Sequence, residues 1–219
     1  GPGGELNVIG DNTTAMVVGG TVTAGTADGA VLDIDATTTL TGLTPTMSID
    51  LQVAAGKTLT ITNAVTVPTT KIVTFTGTND ASAETLTLTG GMTLTGPGGE
   101  LNVIGDNTTA MVVTGTVTAG ADGAVLDIDA STSITAVNMT AALGDLTLEV
   151  ATGKTLTTTV YVNDNTLTIS QSGTVTTVQM DTAAGVLNVD ETSTLTAVTA
   201  TQNFTIDVAS AKTLTTTAT

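Results

Sequence analysis

The sequence predicts an all-β fold, a parallel β-helix (β-solenoid) of about 20 residues per coil and roughly 11 coils. Three observations predict it. About a quarter of the 219 residues are Thr, and Thr, Val and Ile favour strands because branching at Cβ suits a pleated backbone better than a helix. Strand-like units recur about every 20 residues, a period typical of solenoids. Within the units apolar and polar residues alternate, so that one face of each strand is buried.

Taken in order, the units start near Leu6, Leu32, Ile49, Leu86, Leu101, Leu126, Leu146, Leu167, Leu187 and Phe204. The segment GPGGELNVIGDNTTAMVV that opens the chain returns unchanged near its middle, which marks a duplication within one continuous solenoid, 1–96 and 97–219. Beyond it the copies drift: GGTVTAGTADGAVLDIDATTTLTGL becomes TGTVTAGADGAVLDIDASTSITAV, with one residue lost in a turn-like stretch where stacked strands tolerate it.

A two-coil module can be written three times: VLDIDATTTLTGL then SIDLQVAAGKTLTIT, VLDIDASTSITAV then DLTLEVATGKTLTTT, and VLNVDETSTLTAV then NFTIDVASAKTLTTT. Alternation points Leu32, Ile34 and Leu40 inward, with Leu126, Ile128 and Ile134, and Leu187, Val189 and Leu195. The second coil always has a connection two residues longer, from Leu51 to Leu59, Leu148 to Leu156 and Ile206 to Leu214. An even insertion preserves side-chain parity, whereas an odd one would turn the next apolar face to water. The added residues fall at Gly56 and Lys57, Gly153 and Lys154, and Ala211 and Lys212, which suits a bulged corner. Coils advancing by the strand spacing predict a rod on the order of 50 Å long. No polar cap is legible at either end, so the chain reads as an excerpt of a longer array or as a unit that stacks on copies of itself.

Composition narrows the function classes. With Phe75, Phe204 and Tyr161 the only rings, the interior must be narrow and built from Leu, Ile, Val and Met. The formal charge is −16, from 20 acidic residues and 4 Lys. So acidic a surface repels phosphate backbones and anionic headgroups, which argues against nucleic acid and direct membrane insertion. His, Cys and Arg are absent, so Ser-His-Asp and Cys-His constellations and the usual zinc sites cannot be assembled, and the expectation is no enzyme, no catalytic residues and no organic cofactor.

The acidic positions are the candidate metal ligands. Aligning the modules sets Asp129 over Glu149, Asp190 over Asp207, Asp35 over Gln52 and Asp33 over Asp50 in successive coils. Like charges one strand spacing apart repel by nearly 1 kcal/mol in water, and a bridging Ca²⁺ would reverse that. The plainer reading is a solvated acidic stripe. Thr-x-Thr triplets such as Thr58 to Thr60, Thr155 to Thr157 and Thr213 to Thr215 would stack into two Thr columns, either as a structural ladder or as an ice-binding face like that of insect proteins. Sequons at Asn12, Asn107, Asn138 and Asn203 carry little weight in a chain so rich in Thr.

The coils LTLEVATGKTLTTTV, FTIDVASAKTLTTTA and SIDLQVAAGKTLTITN resemble repeats of large secreted bacterial surface proteins: autotransporter passengers, filamentous-haemagglutinin-like exoproteins and giant repetitive adhesins. The resemblance implies a right-handed parallel β-helix displayed outside the cell. It also implies scaffold building or adhesion, through head-to-tail or lateral self-association or contact with surface glycans and other cells. Two functions are therefore expected in order: a structural fibre or surface-layer element, then an adhesin stalk or glycan-binding module.

Overall fold

The computed structural model describes residues 4–10, 14–78, 82–105, 109–139 and 144–217. These residues form ten stacked coils without a helix. Coil one carries β1 (Glu5–Val8) and β2 (Met16–Thr23), and coil two β3 (Ala30–Ile34) and β4 (Thr38–Thr44). Coil three has three strands, β5 (Ile49–Val53), β6 (Thr58–Ile61) and β7 (Val65–Val67). Coil four repeats that plan with β8 (Ile72–Gly77), β9 (Thr85–Leu88) and β10 (Met92–Leu94). Coils five to seven hold β11 (Glu100–Ile104) and β12 (Met111–Ala119), β13 (Ala124–Ile128) and β14 (Thr132–Met139), and β15 (Leu146–Val150) and β16 (Thr155–Val162). Coils eight to ten hold β17 (Thr166–Ile169) and β18 (Thr174–Met180), β19 (Val186–Val189) and β20 (Ser193–Ala200), and β21 (Thr205–Val208) and β22 (Leu214–Thr216).

All pairing is parallel. The first strand of every coil joins a 10-stranded sheet, here sheet A, and the remaining strands form a 12-stranded sheet, sheet B. Spacing between paired residues runs from 18 (Val160 to Val178) to 28 (Phe75 to Val103) and averages about 22. The predicted solenoid is present, with fewer and longer coils than expected. The expected count was too high because the period was taken as 20 residues; the unit placed near Leu86 is also displaced, since β9 lies in sheet B and the sheet A strand of that coil is Ile72–Gly77. The identical segment recurs from Gly96, one residue before the division drawn from the sequence.

Sheet B bends along its length, giving the rod three sides. The bend is a register shift between Val18 and Thr21, Val113 and Thr116, Ser133 and Val137, and Leu156 and Thr159, and it becomes a full break in coils three and four. Gly115 shows what the bend demands. Its φ is +125°, and a Cβ there would lie 2.4 Å from the Leu88 carbonyl oxygen. The amides released by the bend find a Thr one coil further on: Gly115 N donates to Thr135 Oγ1 at 3.1 Å, and Thr158 N to Thr176 Oγ1 at 2.8 Å.

The two-residue insertion is confirmed in all three modules. Leu32 pairs with Leu51 while Thr38 pairs with Leu59; Leu126 pairs with Leu148 while Thr132 pairs with Leu156; Leu187 pairs with Ile206 while Ser193 pairs with Leu214. The extra residues close a turn in which Lys57 N donates to Ala54 O at 2.9 Å, Lys154 N to Ala151 O at 2.9 Å and Lys212 N to Ala209 O at 3.0 Å. The residue before each Lys has a left-handed backbone, with φ of 65° at Gly56, 77° at Gly153 and 63° at Ala211. Gly adopts that region freely and Ala at a cost of roughly 1 kcal/mol.

One apolar core runs the length of the rod. Leu32, Leu51, Phe75, Val103, Ile128 and Val150 form one continuous inward column of sheet A, all fully buried. Each such side chain contributes roughly 1.5–3 kcal/mol by leaving water. Parity also turns Thr38, Thr132 and Ser193 inward, where their hydroxyls donate to Ala36 O (2.7 Å), Ala130 O (2.7 Å) and Glu191 O (2.8 Å).

Candidate functional site

Charge is segregated around the rod. The strands of sheet B contain no charged residue. Seven strands of sheet A carry one acid each, at Glu5, Asp33, Asp50, Glu100, Asp127, Glu149 and Asp207, and none carries a Lys. Alternation turns these acids outward, since Leu, Ile and Val take the inward positions; on sheet B the same outward positions are filled mainly by Thr.

The register does not bring the candidate metal ligands together as the module alignment had them. Asp33 lies opposite Asn7 and Gln52, Asp50 opposite Val31 and Thr74, and Asp207 opposite Asn188. Glu149 lies opposite Asp127, not Asp129. Asp35, Asp129 and Asp190 sit just past β3, β13 and β19, where their amides donate to Val8, Val103 and Ile169 at 3.1, 2.9 and 2.9 Å. The alignment was two residues out of register. A shift of two leaves every apolar side chain inside, so hydrophobic pattern could not detect it.

Asp127, which alignment passed over, occupies the most perturbed position. It stands between Asn102 and Glu149 in the outward column, and burial first, then Asp129, Glu149 and Glu100, push its carboxyl up to about 6. Burial and Glu149 likewise raise Glu100, and burial with Asp35, Glu5 and Asp50 raises Asp33. Asn102 Oδ1 and Asp127 Oδ1 are both shielded from water without a hydrogen-bond donor.

Several other acids are structural fasteners. Asp28 Oδ1 accepts the Ser48 amide at 2.8 Å, Asp122 Oδ1 the Asp145 amide at 3.1 Å, and Asp145 Oδ1 the Thr166 amide at 2.6 Å, each tying one corner to the next coil. The Ser48 amide and Lys71, whose Nζ lies 3.2 Å away, hold Asp28 below the usual carboxylate range. Lys212 pairs with Glu191 at 2.6 Å. Asp50 accepts from Gln52 (2.7 Å) and Thr76 (2.5 Å), and Glu149 from Ser170 (3.2 Å) and Gln171 (3.1 Å). Among the described residues no three acids are grouped closely enough to hold a metal ion.

Thr does form outward columns on sheet B. Thr39, Thr60, Thr87 and Thr114 are successive register partners, as are Thr155, Thr174, Thr194 and Thr215. The sequons at Asn12 and Asn107 lie outside the described residues, whereas Asn138 sits half-buried on sheet B and Asn203 is exposed.

The rod's two ends are the other unusual surfaces. Leu6 at one end is 43% exposed and at the other Ile206 is 43% and Val208 37% exposed, although all three belong to inward columns. A hollow of about 240 Å³ opens beside β1, lined by Leu6, Val22, Ala24 and Leu32 among others. No protein-family model, no curated protein and no solved structure matches the chain.

Proposed function

We propose that this chain is a non-enzymatic structural element of the cell exterior, a rigid rod whose coils stack on further coils to build a fibre or surface layer. One observation carries the reading. The segment GPGGELNVIGDNTTAMVV recurs unchanged in coils one and five, and a single apolar core runs through the described coils, so the architecture extends by adding coils. Negative-stain and cryo-electron microscopy of the purified chain across a concentration series tests this. Filaments with an axial repeat near 4.8 Å are expected, and isolated rods at every concentration would overturn the proposal.

A second reading, an adhesin stalk or a module binding glycans or ice, draws on the uncharged Thr columns of sheet B. It requires isolated rods that retain a ligand. Glycan-array binding and thermal hysteresis, measured on monomer, are its direct checks.

A further inference from the structure

We infer that the face of sheet B between its charged border and the bend is a lateral contact between rods, and that its occupant is the same face of a second copy of this chain. This rests on the fibre reading above and supplies the sideways contact that a bundle or layer needs.

Charge leaves one side of the rod free. Sheet A carries its seven acids, and the corner leading from sheet B back to sheet A sets Asp28, Asp122, Asp145, Asp164 and Asp181 against Lys71 alone. The corner leading from sheet A into sheet B is nearer balance. There Asp35, Asp129, Asp190 and Glu191 stand with Lys57, Lys154 and Lys212, and Glu84 is buried. From that corner to the bend no described residue is charged, and the bend itself is built from small or neutral residues such as Gly20, Gly42, Asn63, Gly115 and Ala136. Two chains of net charge −16 that meet through sheet A bring acidic columns together, whereas two that meet through this face keep those columns away from the contact. An uncharged centre with a charged border is also the usual composition of a protein interface.

The axial period selects the partner. Beside the column of Thr39, Thr60, Thr87 and Thr114 runs a second, of Thr58, Thr85, Val112, Ser133 and Thr157. Each column sets a short side chain one strand spacing, about 4.8 Å, above the last. The grooves between rungs repeat at that interval. A second rod carries ridges of the same interval by construction, so the two faces interdigitate as the paired sheets of a steric zipper do. Val112, outward among the Thr, adds an apolar contact. A stagger of whole coils preserves the match, so partly overlapping rods still associate.

The area suits a reversible contact. Ten coils at about 4.8 Å and runs of about four residues at about 3.3 Å make a face of roughly 48 by 13 Å, and two such faces bury roughly 1,200 Å² in all, the lower edge of stable interfaces. Association is therefore concentration-dependent and strengthens with the number of coils in contact.

Three substitutions of equal charge separate the faces. Thr87→Asp and Thr174→Asp place a carboxylate on the proposed contact, and Thr168→Asp places one outward on sheet A in the same coil as Thr174. Sedimentation equilibrium of the full chain across a concentration series is expected to show self-association of the wild type. The constant should stay within about twofold in Thr168→Asp and weaken at least about tenfold in Thr87→Asp and Thr174→Asp, since a like charge on both partners of a contact is strongly unfavourable. Melting curves verify that each variant is folded. Association that falls equally in all three variants, or in none, overturns the contact, while filaments one rod wide in electron micrographs keep the fibre reading. Lateral pairs that never lengthen into filaments support the contact and overturn the fibre reading. Monomer at every concentration overturns both, and monomer with thermal hysteresis that Thr87→Asp abolishes assigns the face to ice instead.

Discussion

At the scale of the residue, the corner turns hold the most transferable lesson. Gly56, Gly153 and Ala211 share one left-handed backbone position, and a Cβ on Gly153 would meet nothing within 4 Å. The cost of a side chain there is therefore conformational alone. Gly153→Ala is expected to lower stability by about 1 kcal/mol, and Ala211→Gly to raise protection of coil-ten amides by a comparable amount. Denaturant unfolding checks the first and hydrogen exchange the second.

Asp127 gives a prediction with a definite sign. Its folded-state pKa lies above the ordinary value, so its contribution is fully favourable below about pH 4 and is lost as pH rises through about 6. Asp127→Asn should thus raise the melting temperature at pH 7.5 and give little advantage at pH 4. Equal shifts at both values would show that the carboxylate's charge is not what strains the site.

At the scale of the element, parity governs and register follows from other forces. Removing both Thr152 and Gly153 brings Leu148 and Leu156 to the separation of their register partners Leu126 and Thr132, and should leave a folded rod. Removing Gly153 alone should turn Leu156 outward and cost several kcal/mol in the core. Melting curves of the two deletions read this directly.

This also explains what was legible in the sequence. Alternation in VLDIDATTTL and TLEVATGKTL reports which side chains are buried, because a period of two is a property of single strands. Which carboxylate faces which neighbour is a property of pairs, and Asp127 opposite Glu149 satisfies alternation no better than Asp129 would. Coil four was misread because Ile72–Gly77 and Thr85–Leu88 are separated by a longer connection than in most coils, so the regular period breaks there. The hydroxyls of Thr135 and Thr176 were hidden for another reason: a Thr that serves a bend amide one coil away looks, in sequence, like any other outward Thr.

At the scale of the whole molecule, charge gathered on sheet A and its corners works against folding through self-repulsion. Salt should therefore stabilise the rod. Ca²⁺ and Na⁺ at matched ionic strength are expected to raise the melting temperature alike, since no trio of acids converges among the described residues. A larger rise in Ca²⁺ that EDTA abolishes would reinstate cation bridging between coils.

The hydrogen bonds that join one coil to the next run along the rod, and the first and last coils stand at opposite ends of both sheets. Tension applied through the two ends therefore pulls in line with those bonds and loads one rung at a time, instead of shearing a whole sheet at once. Under stretching the rod should yield stepwise as an extensible tether, each rung paying out about 22 residues, or roughly 75 Å of chain. Single-molecule force spectroscopy would record this as a series of similar small steps, and one large cooperative rupture would contradict it.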